Sequence, residues 1–288
     1  MSIAAMADAI SRIPPEASCL KKRSTLRNNM LDPLIDYFCQ TWPFLKKTQV
    51  KVLKMRQKCT GFTVFSVDGN FALKLCGICS LVDGMMYLDH FAISASSLSL
   101  GQDYVETELG VSLAPGGSHA LFGTHNMLLR LGDVYLEVIA PDPDAAPPSR
   151  PRWFGLDEFH GRPRITNWIC RTDRPSRCLG RMLPGTGEMV EVSRDDLTWE
   201  ITVSPQGTLP LSGFAPAIIN WRGAPSAAER LPDTGCRLKK LIIKTPHAIT
   251  LRSTLSLLFS DRRVEIKGAE VASYQAIIET PSGERTLG

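Results

Sequence analysis

Three strand-like starts recur along this chain at residues 88, 165 and 238. A supersecondary unit repeating at such a spacing restricts the fold to stacked or paired copies of one building block. In the first copy, Leu88–Ser94 alternates with period two, setting Phe91 and Ile93 on one face and His90, Ala92 and Ser94 on the other. The apolar spacing of Leu98, Val105 and Leu109 predicts a helix over 98–109, and Gly110 stands where a left-handed C-cap belongs. A short strand at Val111–Leu113, a turn at Pro115–Gly117, and a hairpin of 126–131 and 134–140 across Gly132–Asp133 complete a β-α-β-β-β unit.

The second copy opens with a strand at Ile165–Thr172, continues through a short helical stretch at Arg174–Leu183, and adds strands at Thr198–Val203 and Ala217–Trp221. The third has a strand at Leu238–Lys244, a helix at Ala248–Phe259, and strands at 263–266 and 274–279. The proline-rich stretch from Pro141 to Pro148 reads as the linker between the first two. The expected class is α+β: paired βαβββ modules at 86–144 and 145–225 in a cup-shaped mixed sheet, then a shorter βαββ unit at 226–288.

Residues 1–85 differ in composition from the rest of the chain. They hold eight Lys and four Arg against four Lys and 17 Arg in the remainder, five of the eight cysteines, and a net charge of +6 that leaves −2 on the rest. This segment is expected to be an N-terminal extension, disordered or translated from a start placed too early, with a hairpin of Val64–Val67 and Phe71–Leu73 as its one structural signal. The charge split argues against nucleic acid as a partner, since the excess positive charge belongs to the extension, and Lys21–Lys22–Arg23 reads as part of a solvated tail. The longest apolar stretch, Phe71–Val82, is broken by Lys74 and is too short to span a bilayer, and no leader pattern precedes it. Without a leader, the cysteines are read as reduced thiols, and Cys76 and Cys79 as a lone pair lacking the second pair that zinc would need. A cytoplasmic protein is the resulting expectation, with no membrane partner.

The succession Leu88-Asp89-His90, Gly110-Val111, Gly123-Thr124-His125-Asn126 and Tyr135-Leu136-Glu137-Val138-Ile139-Ala140-Pro141-Asp142 resembles the first module of glyoxalase-like proteins of the vicinal-oxygen-chelate superfamily. Arg152-Trp153-Phe154-Gly155-Leu156-Asp157, Trp168-Ile169-Cys170-Arg171-Thr172-Asp173, Ser193–Trp199 and Ile218–Trp221 continue it through the second. The resemblance implies a cup whose concave face binds a small organic molecule and often a divalent metal such as zinc, nickel, manganese or iron. It also implies frequent pairing of copies, so a homodimer is expected.

Metal ligands in such proteins come from the first and last strands of each module, which puts His90 and Glu137 forward as the metal and catalytic pair. An imidazole and a carboxylate suit a borderline divalent ion. The matching positions of the second module align to Asn167 and Asn220, whose neutral amides are weak ligands, so the alternative is a His90–Glu137 hydrogen bond in a metal-free pocket. Tyr135, on the face of Glu137, Arg171, which shares a strand face with Asn167 and offers a carboxylate clamp, and His125 complete the expected ligand-binding set with the two asparagines. His119 and His125 lie by glycines of a loop and read first as solvated histidines, the alternative being a mobile loop that closes over the ligand with one of them as acid or base. Trp153, Trp168, Trp199 and Trp221 read as packing residues. Two functions emerge as expectations: a metal-assisted enzyme of lyase or isomerase type acting on a small oxygenated molecule, or a metal-free protein of the same fold that binds or sequesters its ligand without chemistry.

Overall fold

The computed structural model describes residues 85–288 except 195 and 196, together with the backbone of three short strands nearer the N-terminus. These are β1 (Lys51–Val52), β2 (Val64–Val67) and β3 (Phe71–Lys74), an antiparallel ladder within a unit that spans Met1–Val82. The hairpin expected there is present as β2 and β3. The Cys76–Cys79 pair, the Lys21–Arg23 run and most of the expected extension lie outside the described residues.

The second unit, Asp83–Gly288, is built on one eight-stranded sheet ordered β5-β6-β7-β4-β8-β11-β10-β9. Its strands are β4 (Tyr87–Ser94), β5 (Ala114–His119), β6 (Thr124–Arg130), β7 (Tyr135–Pro141), β8 (Arg164–Arg171), β9 (Glu188–Arg194), β10 (Leu197–Val203) and β11 (Ala217–Asn220). The order is symmetric about its centre. β4 lies parallel to β7 and β8 parallel to β11, while β4 and β8 pair antiparallel where the two halves meet. Twist curls the sheet until its two edges, β5 and β9, come into contact and enclose a cup. No helix among the described residues is long and apolar enough to cross a membrane.

Alternation along the strands sorts side chains between the two faces. Phe91, Ile93, Leu136, Val138 and Trp168 face outward into a core with Val105 and Leu109 of helix α1 (Leu98–Leu109), whereas Ala92, Tyr135, Ile139, Ile169 and Ile219 face the cup. Helix α1 starts where Ser97 Oγ accepts from the Leu100 N–H and ends at Gly110, whose φ of 68° is the left-handed turn that glycine adopts without strain. Gly101 lets the helix lie directly on β7, because a Cβ there would collide with Val138. In the second half the helix shrinks to α2 (Pro175–Leu179). A third helix, α3 (Ala227–Arg230), closes the end of this half with a capping box between Ser226 and Glu229.

The C-terminal residues form a separate four-stranded sheet ordered β13-β12-β14-β15, from β12 (Arg237–Thr245), β13 (Val264–Gly268), β14 (Ser273–Thr280) and β15 (Gly283–Leu287), with α4 (Ala248–Leu255) between the first two. It carries one strand more than the sequence predicts. β15 is exposed except for Leu287, so no apolar alternation marks it. Its order also differs from that of the paired halves, since β12 pairs directly with the strand that follows its helix. The near-even spacing of the three starts therefore joins two like units to an unlike one. This sheet packs against the first half through Leu238, Leu241, Ile243 and Ile278 in the outward core, and Trp168 meets Phe259 edge to face.

Two further differences bear on the cup. The Pro115–Gly117 stretch, expected as a turn, belongs to β5, with the ladder to β6 breaking register between Pro115 and Ser118. Strand β9, which carries Arg194, is not among the strands read from sequence.

Candidate functional site

The cup is lined from both halves. β4 contributes His90, β5 His119, β6 Asn126 and Leu128, and β7 Tyr135 and Glu137; across from them stand Arg194, Trp199, Ile201, Ile219 and Trp221, with Trp153, Phe154 and Ala227 at its end. The space between measures about 380 Å3 with its open mouth included. Aromatic rings fill much of the rest: Trp153 stacks between Phe122 and Phe154 at centroid distances of 4.1 and 5.3 Å, and Trp199 tilts against Trp221 at 5.6 Å.

His90 is set by its chain neighbour. The ladder between β4 and β8 slips between Leu88 and His90, leaving Asp89 as a bulge residue whose side chain turns back. Its carboxylate takes His90 Nδ1 at 2.7 Å and the Trp221 indole N–H at 2.9 Å, both fully inside the protein. On the other side of the ring, Nε2 lies 3.6 Å from Glu137 Oε2, an ion-pair distance too long for a hydrogen bond. Tyr135 stacks on the imidazole at 4.3 Å, because the parallel register of β4 and β7 puts the two residues side by side.

Burial alone would drive the His90 proton off, but Asp89 and Glu137 outweigh it and raise the pKa to about 9. At neutral pH the ring is an imidazolium between two carboxylates. Glu137 responds in the opposite sense: burial pushes its pKa up, while His90 and the Asn126 amide bring it below the ordinary carboxylate value. Burial raises Tyr135 far above 10, so its hydroxyl keeps its proton.

Asn126 joins this group to the far edge of the sheet. Its Nδ2 donates to Glu137 Oε1 at 2.6 Å, and its Oδ1 accepts from Gly117 N–H at 3.0 Å and from Arg194 Nη1 at 3.0 Å. The paired glycines make this contact fit: a Cβ on Gly116 would strike Asn126, and one on Gly117 would stand 2.6 Å from Arg194 Cδ. His119, expected as a solvated loop residue, is buried, bonded through Nδ1 to Thr124 Oγ1 at 3.1 Å, and lowered by burial to a pKa of about 4. It is a neutral wall residue.

Of the residues expected to form the site, His90, Tyr135 and Glu137 line the cavity together. His125 alternates to the opposite face of β6 from Asn126 and Leu128 and lies 3.9 Å from Asp142. Asn220 likewise turns away from Ile219 and donates to Glu200 at 3.3 Å. Asn167 is buried beside Gly213 and does not line the cavity. Arg171 donates to the Leu88 and Asp133 carbonyls at 3.1 Å and lies 3.9 Å from Asp89, so it supports the Asp89–His90 pair from behind. Trp153, Trp199 and Trp221 line the cavity and only Trp168 belongs to the outward core. Arg194, Asn126 and Asp89 were not singled out from sequence. The alternation of Val190 and Val192 with Glu191 and Ser193 was the available signal for the strand that carries Arg194.

A family model described as a glyoxalase-like domain matches residues 88–259. The chain belongs to that family. The family lies in the vicinal-oxygen-chelate superfamily, and the curled sheet of paired halves is that fold. A hypothetical protein from Staphylococcus aureus is similar in structure, at 14% identity and a TM-score of 0.49, covering 68% of this chain and 91% of its own. A methylmalonyl-CoA epimerase from Mycobacterium tuberculosis is similar at 18% identity and a TM-score of 0.33, covering 49% and 91%. A Streptomyces coelicolor methylmalonyl-CoA epimerase variant in complex with 2-nitronate-propionyl-CoA gives 14% and 0.34, covering 50% and 99%. No curated protein matches the chain.

Members of the superfamily often use a divalent metal. In this glyoxalase-like chain the residues present do not fit one. His90 and Glu137 are two donors, no cluster of three or more His, Cys, Asp or Glu that could hold an ion exists among the described residues, and the cup-facing residues of β11 are Ala217 and Ile219. Catalytic zinc sites take three protein ligands. His90 must also first surrender a proton that two carboxylates hold, and His119, the other imidazole of the wall, is bonded to Thr124.

Proposed function

We propose that the cup of this glyoxalase-like protein binds a small oxygenated organic molecule without a resident metal ion. The observation that carries the reading is that the polar wall is taken up largely by the protein itself. Asp89, His90, Glu137, Asn126 and Arg194 form an unbroken chain of contacts in which the His90 ring stands between two carboxylates and the 3.6 Å step to Glu137 alone is longer than a hydrogen bond. Facing it, Trp199, Trp221, Phe154 and Ile219 supply an apolar wall suited to a hydrocarbon skeleton. Phe154, at a φ of 60° that non-glycine residues seldom adopt, marks where the backbone holds strain. Thermal-shift screening of small carbonyl, hydroxyl and carboxyl compounds against the full chain tests the reading. Stabilising ligands whose effect survives a chelator support it, and stabilisation that needs added metal overturns it.

A specific distance favours a second reading, that the cup also performs proton transfer. The 3.6 Å between His90 Nε2 and Glu137 Oε2 leaves the Nε2 proton without a full hydrogen bond, and a ligand oxygen placed there would receive it. His90 would then act as the acid and Glu137, held deprotonated, as the group that takes the proton back. Turnover of any ligand found by the screen, lost in His90→Gln and falling in wild type as the pH rises through about 9, is the expected signature.

A further inference from the structure

Arg194 lines the cup, and among the described residues it has no counter-charge. Its Nη1 donates to a neutral amide oxygen, Asn126 Oδ1, and its guanidinium lies 6.0 Å from the Trp199 ring centre. No carboxylate pairs with it among the described residues, although Glu137 lies one residue farther along the same chain of contacts. Its Nε–H is fully buried and has no partner there. A second donor lining the same cavity is in the same condition: the indole N–H of Trp153, on a residue 4% exposed, is buried and unpartnered. A buried N–H without an acceptor is costly, and two in one cavity point to an acceptor that a ligand brings. Both are donor-only groups. The group that satisfies them is therefore an acceptor, and a guanidinium lacking an anion favours a charged one.

The remaining surroundings describe what carries that acceptor. Trp199 and Trp221 meet at a tilt, Phe154 stacks on Trp153, and Ile201 and Ile219 fill between, so the body of the ligand meets flat apolar surfaces. On the first half the Nε2 proton of His90 already faces Glu137, whereas the Arg194 Nε–H and the Trp153 indole N–H face no acceptor among the described residues.

Resting on the reading of the cup as a small-molecule site, we propose that its ligand is an aromatic carboxylate, with the carboxylate on Arg194 and Trp153 and the ring against Trp199 and Trp221. Calorimetric titration of the full chain with benzoate, phenylacetate, benzamide and benzyl alcohol tests this. The acids are expected to bind at least tenfold more tightly than the amide and the alcohol. Arg194→Gln should erase that preference, Arg194→Lys should keep part of it, and Trp153→Phe, which removes the N–H with the five-membered ring but keeps an aromatic side chain, should weaken the acids several-fold more than the neutral compounds. Because Arg194 also braces the two sheet edges, an independent readout uses wild-type protein: the Trp153 indole proton, identified by its absence in Trp153→Phe, should move downfield in the NMR spectrum on adding benzoate. Neutral compounds binding as well as the acids, or an unmoved indole proton in the benzoate complex, overturns the proposal while leaving the small-molecule reading intact. Failure of the whole panel to bind overturns the proposal, and failure of the wider oxygenated screen overturns the reading beneath it.

Discussion

Asn126 donates its amide to Glu137 at 2.6 Å while accepting from Arg194 at 3.0 Å, so one neutral side chain keeps an anion and a cation of the cup apart. Both ends of the amide are spoken for, and this fixes which atom is oxygen and which is nitrogen. Replacing Asn126 by Ala strands the Gly117 N–H, the Arg194 guanidinium and one Glu137 oxygen together. Each buried group left without a partner costs roughly 1–3 kcal/mol, and at roughly 2–4 °C per kcal/mol for a domain of this size three of them should lower the melting temperature by at least about 6 °C. Scanning calorimetry on the two proteins decides it. A drop of under about two degrees would show the bridge to be dispensable.

His90 and His119 pull the pH dependence of stability in opposite directions. His90 holds its proton more tightly folded, at about 9, than at the ordinary 6.5, so its contribution is complete below pH 6.5 and is lost as the pH rises through 9. A shift of that size corresponds to on the order of 3 kcal/mol. His119 is held neutral, with a pKa of about 4, so the unfolded chain takes up that proton first and stability falls as the pH drops from 6.5 toward 4. Glu137, lowered in the fold, adds to the acid-side loss. Urea midpoints should therefore decline on both sides of pH 6.5, with His90→Gln flattening the alkaline limb and His119→Asn lessening the acid one. An alkaline limb just as steep in His90→Gln would falsify the assignment of that proton.

Protein purified without chelators should carry well under one equivalent of zinc, nickel, manganese or iron by elemental analysis. Adding any of these ions at neutral pH should shift the melting temperature by less than a degree. Above pH 9, where His90 gives up its proton, weak zinc binding should emerge. A stoichiometric metal that survives dialysis at pH 7 would mean that the wall rearranges to admit it.

Two glycine substitutions should separate backbone conformation from crowding. At Gly110, φ is 68° and nothing lies within 4 Å of an added Cβ, so Gly110→Ala should cost about 1 kcal/mol through conformation alone. At Gly117 the added methyl meets Arg194 Cδ at 2.6 Å and Cγ at 2.9 Å. Gly117→Ala should displace that side chain and weaken any ligand held by Arg194, while Gly110→Ala leaves ligand affinity untouched. Equal effects of the two on binding would argue against a role for the Arg194 position.

The architecture was readable because alternation is a local property. Tyr135 and Glu137 against Leu136 and Val138, or Val105 and Leu109 ahead of Gly110, declare their faces within a few residues. The cup was readable only in its first half. Asn126 and Arg194 meet across 68 residues of chain and Asp89 and Trp221 across 132, and no short-range pattern encodes such pairs. The bulge at Asp89 was hidden for a related reason: slipping one residue out of a ladder leaves the sequence looking like an uninterrupted strand, yet it delivers the carboxylate that keeps His90 charged. Asn220 illustrates the reverse error of register, since one position along β11 exchanges the cup for the outer face.

The antiparallel junction of β4 and β8 makes the two halves one continuous sheet within a single polypeptide, and so frees them to differ. A cup made from two identical chains would present the same groups on both walls. Here one wall offers His90, Glu137 and Asn126 and the other Ile201, Ile219 and Trp199. A molecule between them has a polar and an apolar side to satisfy at once, and turning it over mismatches both. A ligand with one polar and one apolar edge should therefore sit in the cup one way round only, because the unlike walls are not interchangeable.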